Sequence, residues 1–398
     1  MTVAARSEAG SALRAGNLRV QLHREPSAIE SEWRGLDRSG IGTLFQRFDW
    51  NDAWLRTIGA AGAHEAAILL GELDGRPAFI LPLALRRYGP ATVAEWIGGT
   101  HAGYNFGLWS PEGAAHVSAL SRPQLRHMLA DALGADALLL RRVPPVLGGT
   151  AQPLSRLASV EAAMSGYSVS LAGGMTELLA RTGGGARRRR ANQKERRMRE
   201  MGAFACGPVD DLPGALGALE FFGHHKALRL SEQGLANPFA EPGAMDFLGE
   251  LVRRSIGASE PLLRLWSLSV DGRPRAVIGT GVDRGIATLQ ILTYAHDETM
   301  PHSPGQVLLY RQIEAMCEQG LDVYDFGIGR EAYKDSWADT EITLRDHYLA
   351  LTAKGGVAVA AMRLGDETRS MLRHNRLAYR LVAGWRRRDQ KGAETTHD

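Results

Sequence analysis

The chain has 398 residues, 44% hydrophobic and 23% charged, a length past which one hydrophobic core usually stops growing, so two domains are expected. A net charge of +3 and a pI near 8.9 do not by themselves demand nucleic acid as a partner. Two cysteines far apart in sequence, Cys206 and Cys317, exclude a disulfide scaffold and a cysteine-rich metal site, and fit a reducing cytosol.

Residues 1–17, rich in Ala, Gly and Ser, read as a loose tail without a signal-peptide core. No later segment approaches membrane-spanning length, which predicts a soluble, cytoplasmic protein. Residues 71–85, GELDGRPAFILPLAL, put an apolar approach and exit around Asp-Gly, the pattern of two strands joined by a tight turn. Strand-like segments then lead to LSRPQLRHMLADALG, where Ser121 with Gln124 predicts a capping box and Gly134 a helix stop, and on to the strand ADALLLRRV. These elements make a first α/β unit over 18–163.

The stretch GGGARRRRANQKERRMREMG (183–202) follows, with basic residues on more than one face if helical. It suits phosphates of a cofactor, a tRNA acceptor end, a nucleotide-sugar or an anionic polymer, or else it is a charged linker helix with intramolecular acidic partners. No helix-turn-helix or zinc-finger pattern accompanies it, so sequence-specific DNA binding is not expected. Cys206, in AFACGPV, has no adjacent base, and no Gly-x-Ser-x-Gly elbow occurs, which disfavours a covalent nucleophile.

FFGHHKALRLSEQG (221–234) offers His225 as a base near neutral pH beside Lys226, with no partners at metal-ligand spacing. A second Asp-Gly-Arg-Pro hairpin (268–282) and the strand IATLQILTYA lead to HSPGQVLLYRQIEAMCEQG. There Ser303 with Gln306 predicts another capping box, Pro304 suits the first helical position, and Leu309, Ile313 and Met316 or Cys317 form the buried stripe before Gly320.

The strand then runs into DVYDFGIGREAYKDSW (322–337), which packs Asp325, Glu331, Tyr333, Lys334 and Trp337 into more chemistry than a turn requires. These side chains serve a site, or an acid pairs with Lys334 over two buried rings. The second unit reaches 390. Within it, Leu372, Tyr379, Val382 and Trp385 form a basic amphipathic stripe that packs back or lies on an anionic membrane surface, and 391–398 is a tail.

This layout resembles the tandem GNAT-fold acyltransferases, in particular the CelD-like group associated with cellulose and exopolysaccharide biosynthesis, relatives of the Fem aminoacyltransferases. The likeness is carried by LFQRFDWNDAW (44–54), FILPLAL (79–85) and EWIGG (95–99) in the first half. In the second half it is carried by the Arg-rich segment, FFGHHKALRLSEQG, DGRPRAV, SPGQVLL and YDFGIGREAYKDSW. The resemblance implies an α/β (α+β) fold of two GNAT units, each a mixed, largely antiparallel sheet flanked by helices. The first is degenerate, its Ser-Arg-Pro-Gln turn lacking glycine, and the second carries the active site.

Several roles follow from the same resemblance. Acetyl- or another acyl-coenzyme A would be the co-substrate, without a metal, its phosphates held by Ser303, Gly305 and Gln306 with Arg188 and Arg189. Asp325, Glu331 or His225 would accept a proton, and Lys226, Tyr333, Lys334 and Trp337 would hold substrate. HSPGQ departs from the usual pattern, with one glycine instead of two or more and with Pro304 lacking an N–H. The expected reaction moves an acyl group to an amine or hydroxyl of a polysaccharide- or envelope-related acceptor, with peripheral contact at the inner face of the membrane. The alternatives are Fem-like aminoacyl transfer from charged tRNA and a non-catalytic GNAT-fold scaffold.

Overall fold

A computed structural model describes residues 13–15 and 17–374. The chain divides into two units: one holds the described residues up to Leu55, Gly62–Ala162 and Leu344–Met362, and the other holds Arg56–Ala61, Ala163–Thr343 and the described residues from Arg363. This corrects the contiguous division into 18–163 and 164–390. The physical reason lies in a sheet edge. Strand Arg345–Ala350 pairs with Ala137–Val143 on one side and Ser159–Glu161 on the other, so the buried strand Ala137–Val143 does not present unpaired N–H and C=O groups.

In the first unit the Asp-Gly turn joins Ile68–Leu73 to Arg76–Leu81, with Asp74 at φ +50° and Gly75 at +77°, the left-handed pair of a two-residue hairpin. Helix Arg122–Leu133 starts as expected, its Gln124 Oε1 accepting from the Ser121 N–H at 2.9 Å and Oγ at 2.7 Å, and ends at Gly134 with φ +60°. Strand Ala137–Val143 then runs parallel to Ala91–Trp96. The expected tail is shorter than 1–17, because Leu13–Ala15 pairs with Leu18–His23.

The second unit runs in the order β1 (Gly166–Ser170), α1 (Gly174–Arg181), α2 (Gly184–Met201), β2 (Phe204–Pro208), α3 (Leu212–Gln233) and α4 (Ala244–Ser255). It continues through β3 (Arg264–Val270), β4 (Arg273–Asp283), β5 (Ile286–Tyr294), α5 (Pro304–Glu318), β6 (Val323–Ile328), α6 (Ala332–Trp337) and β7 (Thr340–Ile342). Its sheet order is β2-β3-β4-β5-β6-β1-β7, with β5–β6 the parallel pair. The β3–β4 turn repeats the first hairpin, Asp271 at φ +51° and Gly272 at +71°.

Two features of β5 position the site. It pairs with β6 only from Ile286↔Val323 to Thr288↔Asp325, so beyond Thr288 its sole strand neighbour is β4. Gln290 is the extra residue of a bulge between Leu289↔Thr280 and Ile291↔Gly279, which bends the strand locally. Helix α5 covers the sheet with Leu309, Ile313 and Met316, as its spacing predicts. Its buried Gln312 links the layers, accepting from the Tyr324 hydroxyl at 2.6 Å and donating to Thr280 Oγ1 at 3.2 Å.

Among the described residues no helix is long and apolar enough to cross a membrane. The side chains of the stripe expected at Leu372, Tyr379, Val382 and Trp385, and the tail 391–398, lie outside the described residues.

Candidate functional site

The start of α5 organises the site. Asp297 Oδ1 accepts from the Thr299 N–H (2.8 Å) and Oγ1 (2.6 Å), closing the turn that feeds Met300–His302 and then Ser303. Ser303 sits at φ +49°, ψ +63°, and its side chain does not cap the helix. The expected Ser303–Gln306 capping box is therefore absent, because an N-cap needs extended backbone to aim its oxygen at the first turn. Instead Lys194 of α2 donates to both Ser303 Oγ (2.9 Å) and Gln306 Oε1 (3.0 Å). The N–H groups of Gln306 and Val307 turn back to the Ser303 carbonyl at 3.0 and 3.2 Å. Gly305 lies against β5, where a Cβ would stand 3.0 Å from Tyr294 Cδ1.

Above this start opens a cavity of about 320 Å³, walled by Leu292 and Tyr294 of β5, by Ser303, Gly305, Gln306 and Leu309, by Arg229 of α3, and by Glu331 and Tyr333. The Glu331 carboxylate is exposed, without an ion-pair partner among the described residues. The Tyr333 hydroxyl is also without a hydrogen-bond partner there, and burial, then the Glu331 charge, hold it protonated far above the ordinary phenol range. Arg229 lies over the Tyr294 ring at 5.5 Å, its buried Nε unpartnered.

The other expected residues fall into two groups. Asp325 and Lys334 do not border the cavity: Asp325 Oδ1 accepts from the Gly327 N–H at 2.7 Å, and buried Lys334 Nζ donates to the Ile328 carbonyl at 2.8 Å. They brace the loop after β6, away from the cavity at which proton-accepting and substrate-holding roles were expected of them. Burial lowers the Lys334 pKa, against the charges of Glu331 and Asp325. His225 and Lys226 sit on α3 beside the site without lining it. Burial and then His224 lower His225, whose ring packs on Phe221 at 4.2 Å. Lys226 is pushed down to about 8 by burial first and by Arg229 and Lys334, against Glu331.

A second recess of about 280 Å³ shares Gln306, Leu309 and Tyr333 with the first. Arg187, Arg190 and Lys194 of α2 form one wall, with Tyr310 and Trp337 opposite. The Arg187 guanidinium stacks 3.9 Å from the Trp337 ring centroid and donates to the Ser336 carbonyl. Arg188 and Arg189, expected to touch a cofactor, are exposed and border neither cavity. The spacing 187, 190, 194 is one helical face and was the available sequence signal. Arg229, Tyr294 and Tyr310 had none that local pattern could reveal.

Elsewhere α2 does have acidic partners. Its buried stripe is Ala191, Glu195 and Met198, and Glu195 accepts from Arg199 (2.7 and 3.0 Å) and from Arg311 Nε (2.8 Å). Burial would raise the Glu195 pKa, but these hydrogen bonds hold it below the ordinary value near 4.5. A depressed folded-state pKa gives stability that is present above the unfolded value and is lost as pH falls through the folded one. The unfolding midpoint of the second unit should therefore drop below pH near 4.5 with a component that Glu195→Gln removes. Parallel acid profiles for wild type and variant would contradict this.

Burial, then the Glu195 charge, pushes the Cys206 thiol up to about 12, so it holds no thiolate at neutral pH. Among the described residues no cluster of three His, Cys, Asp or Glu could hold a metal ion. The available chemistry is an unpaired carboxylate, a protonated phenol and a strand with one open edge, around a cavity that adjoins a cationic recess.

Residues 185–335 match the family described as an acetyltransferase (GNAT) domain. No curated protein matches the chain. Among solved structures, FemX is similar with a TM-score of 0.55 at 12% identity, covering 85% of this chain and 98% of that one. L-PGS from Bacillus licheniformis is similar with a TM-score of 0.51 at 11% identity, covering 85% and 96%. A conserved protein of unknown function from Bacteroides thetaiotaomicron gives 0.53 at 12%, covering 83% and 99%. At such identity the likeness is one of fold. The fold is two α/β units of mixed sheet flanked by helices, and the second carries the acetyltransferase (GNAT) domain match.

Proposed function

We propose that the second unit transfers an acyl group from acyl-coenzyme A to an amine or hydroxyl acceptor. The observation that carries this reading is the cavity at the α5 start, where β5 has lost its β6 neighbour and Glu331 and Tyr333 stand unpartnered. The acceptor's lone pair attacks the thioester carbonyl, and Glu331 takes the proton it releases. Backbone N–H groups on the open side of β5 stabilise the oxyanion. As the carbon–sulfur bond breaks, the Tyr333 hydroxyl, which burial keeps protonated, donates a hydrogen bond to the leaving thiolate, and the thiolate is protonated by the proton that Glu331 took from the acceptor, which returns the carboxylate to its starting state. The acceptor class, tied to polysaccharide or envelope synthesis, rests on the sequence resemblance.

Calorimetry with acetyl- and longer acyl-coenzyme A tests the reading. Wild type should bind, and Gly305→Trp, whose side chain must displace Tyr294, should weaken binding by ~100-fold or more, roughly 2.7 kcal/mol. Absence of binding by the wild type would overturn it. Aminoacyl transfer from charged tRNA would then lead, since exposed Arg188 and Arg189 could meet a polyanion and the FemX and L-PGS structures share this fold.

A further inference from the structure

We propose that the recess between α2, α5 and α6 binds a phosphate monoester through Arg187, Arg190, Lys194 and Tyr310. Its positive charge is uncompensated. Among the described residues Arg190 has no hydrogen bond or ion pair, Arg187 donates to a neutral carbonyl, and Lys194 to a hydroxyl and an amide oxygen. The two acids of the same helix are committed elsewhere, Glu195 to Arg199 and Arg311 and Glu200 to Arg196 and Arg197. Burial and the charge of Arg190 depress both Arg187 and Lys194, the sign of cations crowded without a counter-ion.

Two atoms at the recess are buried without a partner among the described residues, Arg187 Nη1 and the hydroxyl of Tyr310, a residue only 2% exposed. Buried donors are rarely left so, and each costs on the order of a hydrogen bond until something satisfies it. The Arg187 guanidinium is held in place by Trp337 and the Ser336 carbonyl, which pre-organises it. A carboxylate has two oxygens and a single charge. A phosphate monoester brings near two charges and three acceptor oxygens, and it matches this set of donors better.

The recess joins the cavity across Gln306, Leu309 and Tyr333, so a single ligand can occupy both. The source of the phosphate rests on the acyl-coenzyme A reading: coenzyme A carries a 3′-phosphate monoester, and dephospho-coenzyme A lacks only that group. A phosphorylated acceptor is the other source.

The test is calorimetry with coenzyme A, dephospho-coenzyme A, glucose 1-phosphate and inorganic phosphate, on wild type, Arg190→Ala and Tyr310→Phe. Among the described residues Arg190 makes no hydrogen bond or ion pair to lose and only repels Arg187 and Lys194, and Tyr310→Phe removes an unpartnered hydroxyl, so neither should lower the unfolding midpoint. Wild type should prefer coenzyme A over dephospho-coenzyme A by about tenfold or more, and both variants should bring that ratio towards one. Equal affinity for the two, with no binding of free phosphate or glucose 1-phosphate, overturns the proposal and leaves the acyltransferase reading intact. Binding of phosphate or glucose 1-phosphate that Arg190→Ala abolishes, with no binding of coenzyme A, supports the recess while removing that donor. Phosphate binding indifferent to both substitutions overturns it.

Discussion

Trp337→Ala is expected to destabilise the second unit by about 3–5 kcal/mol, the range for truncating a buried tryptophan. The ring is 5% exposed, belongs to the core cluster that includes Tyr310 and Phe326, and lies 6.2 Å from the Tyr310 ring. It is also the surface on which Arg187 stacks, so its loss releases α6 and the guanidinium together. Trp337→Phe should recover most of the stability and little of the stacking, since the larger indole face attracts the cation best. Denaturant unfolding followed by circular dichroism reads the result, with the transition of the second unit taken alone because the chain has two units. A loss under 1 kcal/mol for the alanine variant would mean that α6 is not anchored by this residue.

Glu331→Gln should lower kcat by ~100-fold or more while leaving acyl-coenzyme A affinity within about twofold, the signature of a proton acceptor rather than a binding contact. The amide keeps the size of the side chain and loses its basicity. Because Glu331 is exposed and has no ion-pair partner among the described residues, stability should not move. Full turnover in the variant would remove Glu331 from the chemistry and turn attention to Lys226, whose amine, pushed down to about 8, is substantially neutral in mildly alkaline solution. A kcat that rises with pH through that value in the wild type, and at a lower pH in Glu331→Gln, where the charge that raises the amine's pKa is gone, would be the mark of Lys226.

How much of this was written in the sequence depends on the range of the interaction. Both Asp-Gly hairpins were legible because the turn needs nothing beyond its own residues: positive φ at Asp74, Gly75, Asp271 and Gly272. The α5 stripe was legible from its period. The capping signals at Ser121 and Ser303 read alike and fold differently. Ser121 is extended, with Gln124 bonded back to it, whereas Ser303 is left-handed and bonded to Lys194, 109 residues away in sequence. That partner is a tertiary fact, and no local pattern contains it.

The site divided along the same line. Glu331 and Tyr333, which line the cavity, stand out in the sequence because a loop after a strand has more ionisable and aromatic groups than a turn requires. Asp325 and Lys334 came with them, since a carboxylate that ties down a glycine N–H and an ammonium that ties down a carbonyl are the same letters as a catalytic pair. Four consecutive arginines do not show in sequence which of them share a face; helical spacing gives the recess Arg187 and Arg190 and leaves Arg188 and Arg189 outside it.

Strand Arg345–Ala350 carries a consequence for synthesis. A chain made from its amino end usually folds its first domain while the rest is still being added. Here the strand between Ser159–Glu161 and Ala137–Val143 is among the last segments of the described chain to leave the ribosome, so the amino-terminal sheet stays open along that edge until nearly all of both units has been translated. Early folding of the amino-terminal half alone would expose an edge able to pair with the wrong chain, and the order of completion is inverted relative to the order of synthesis.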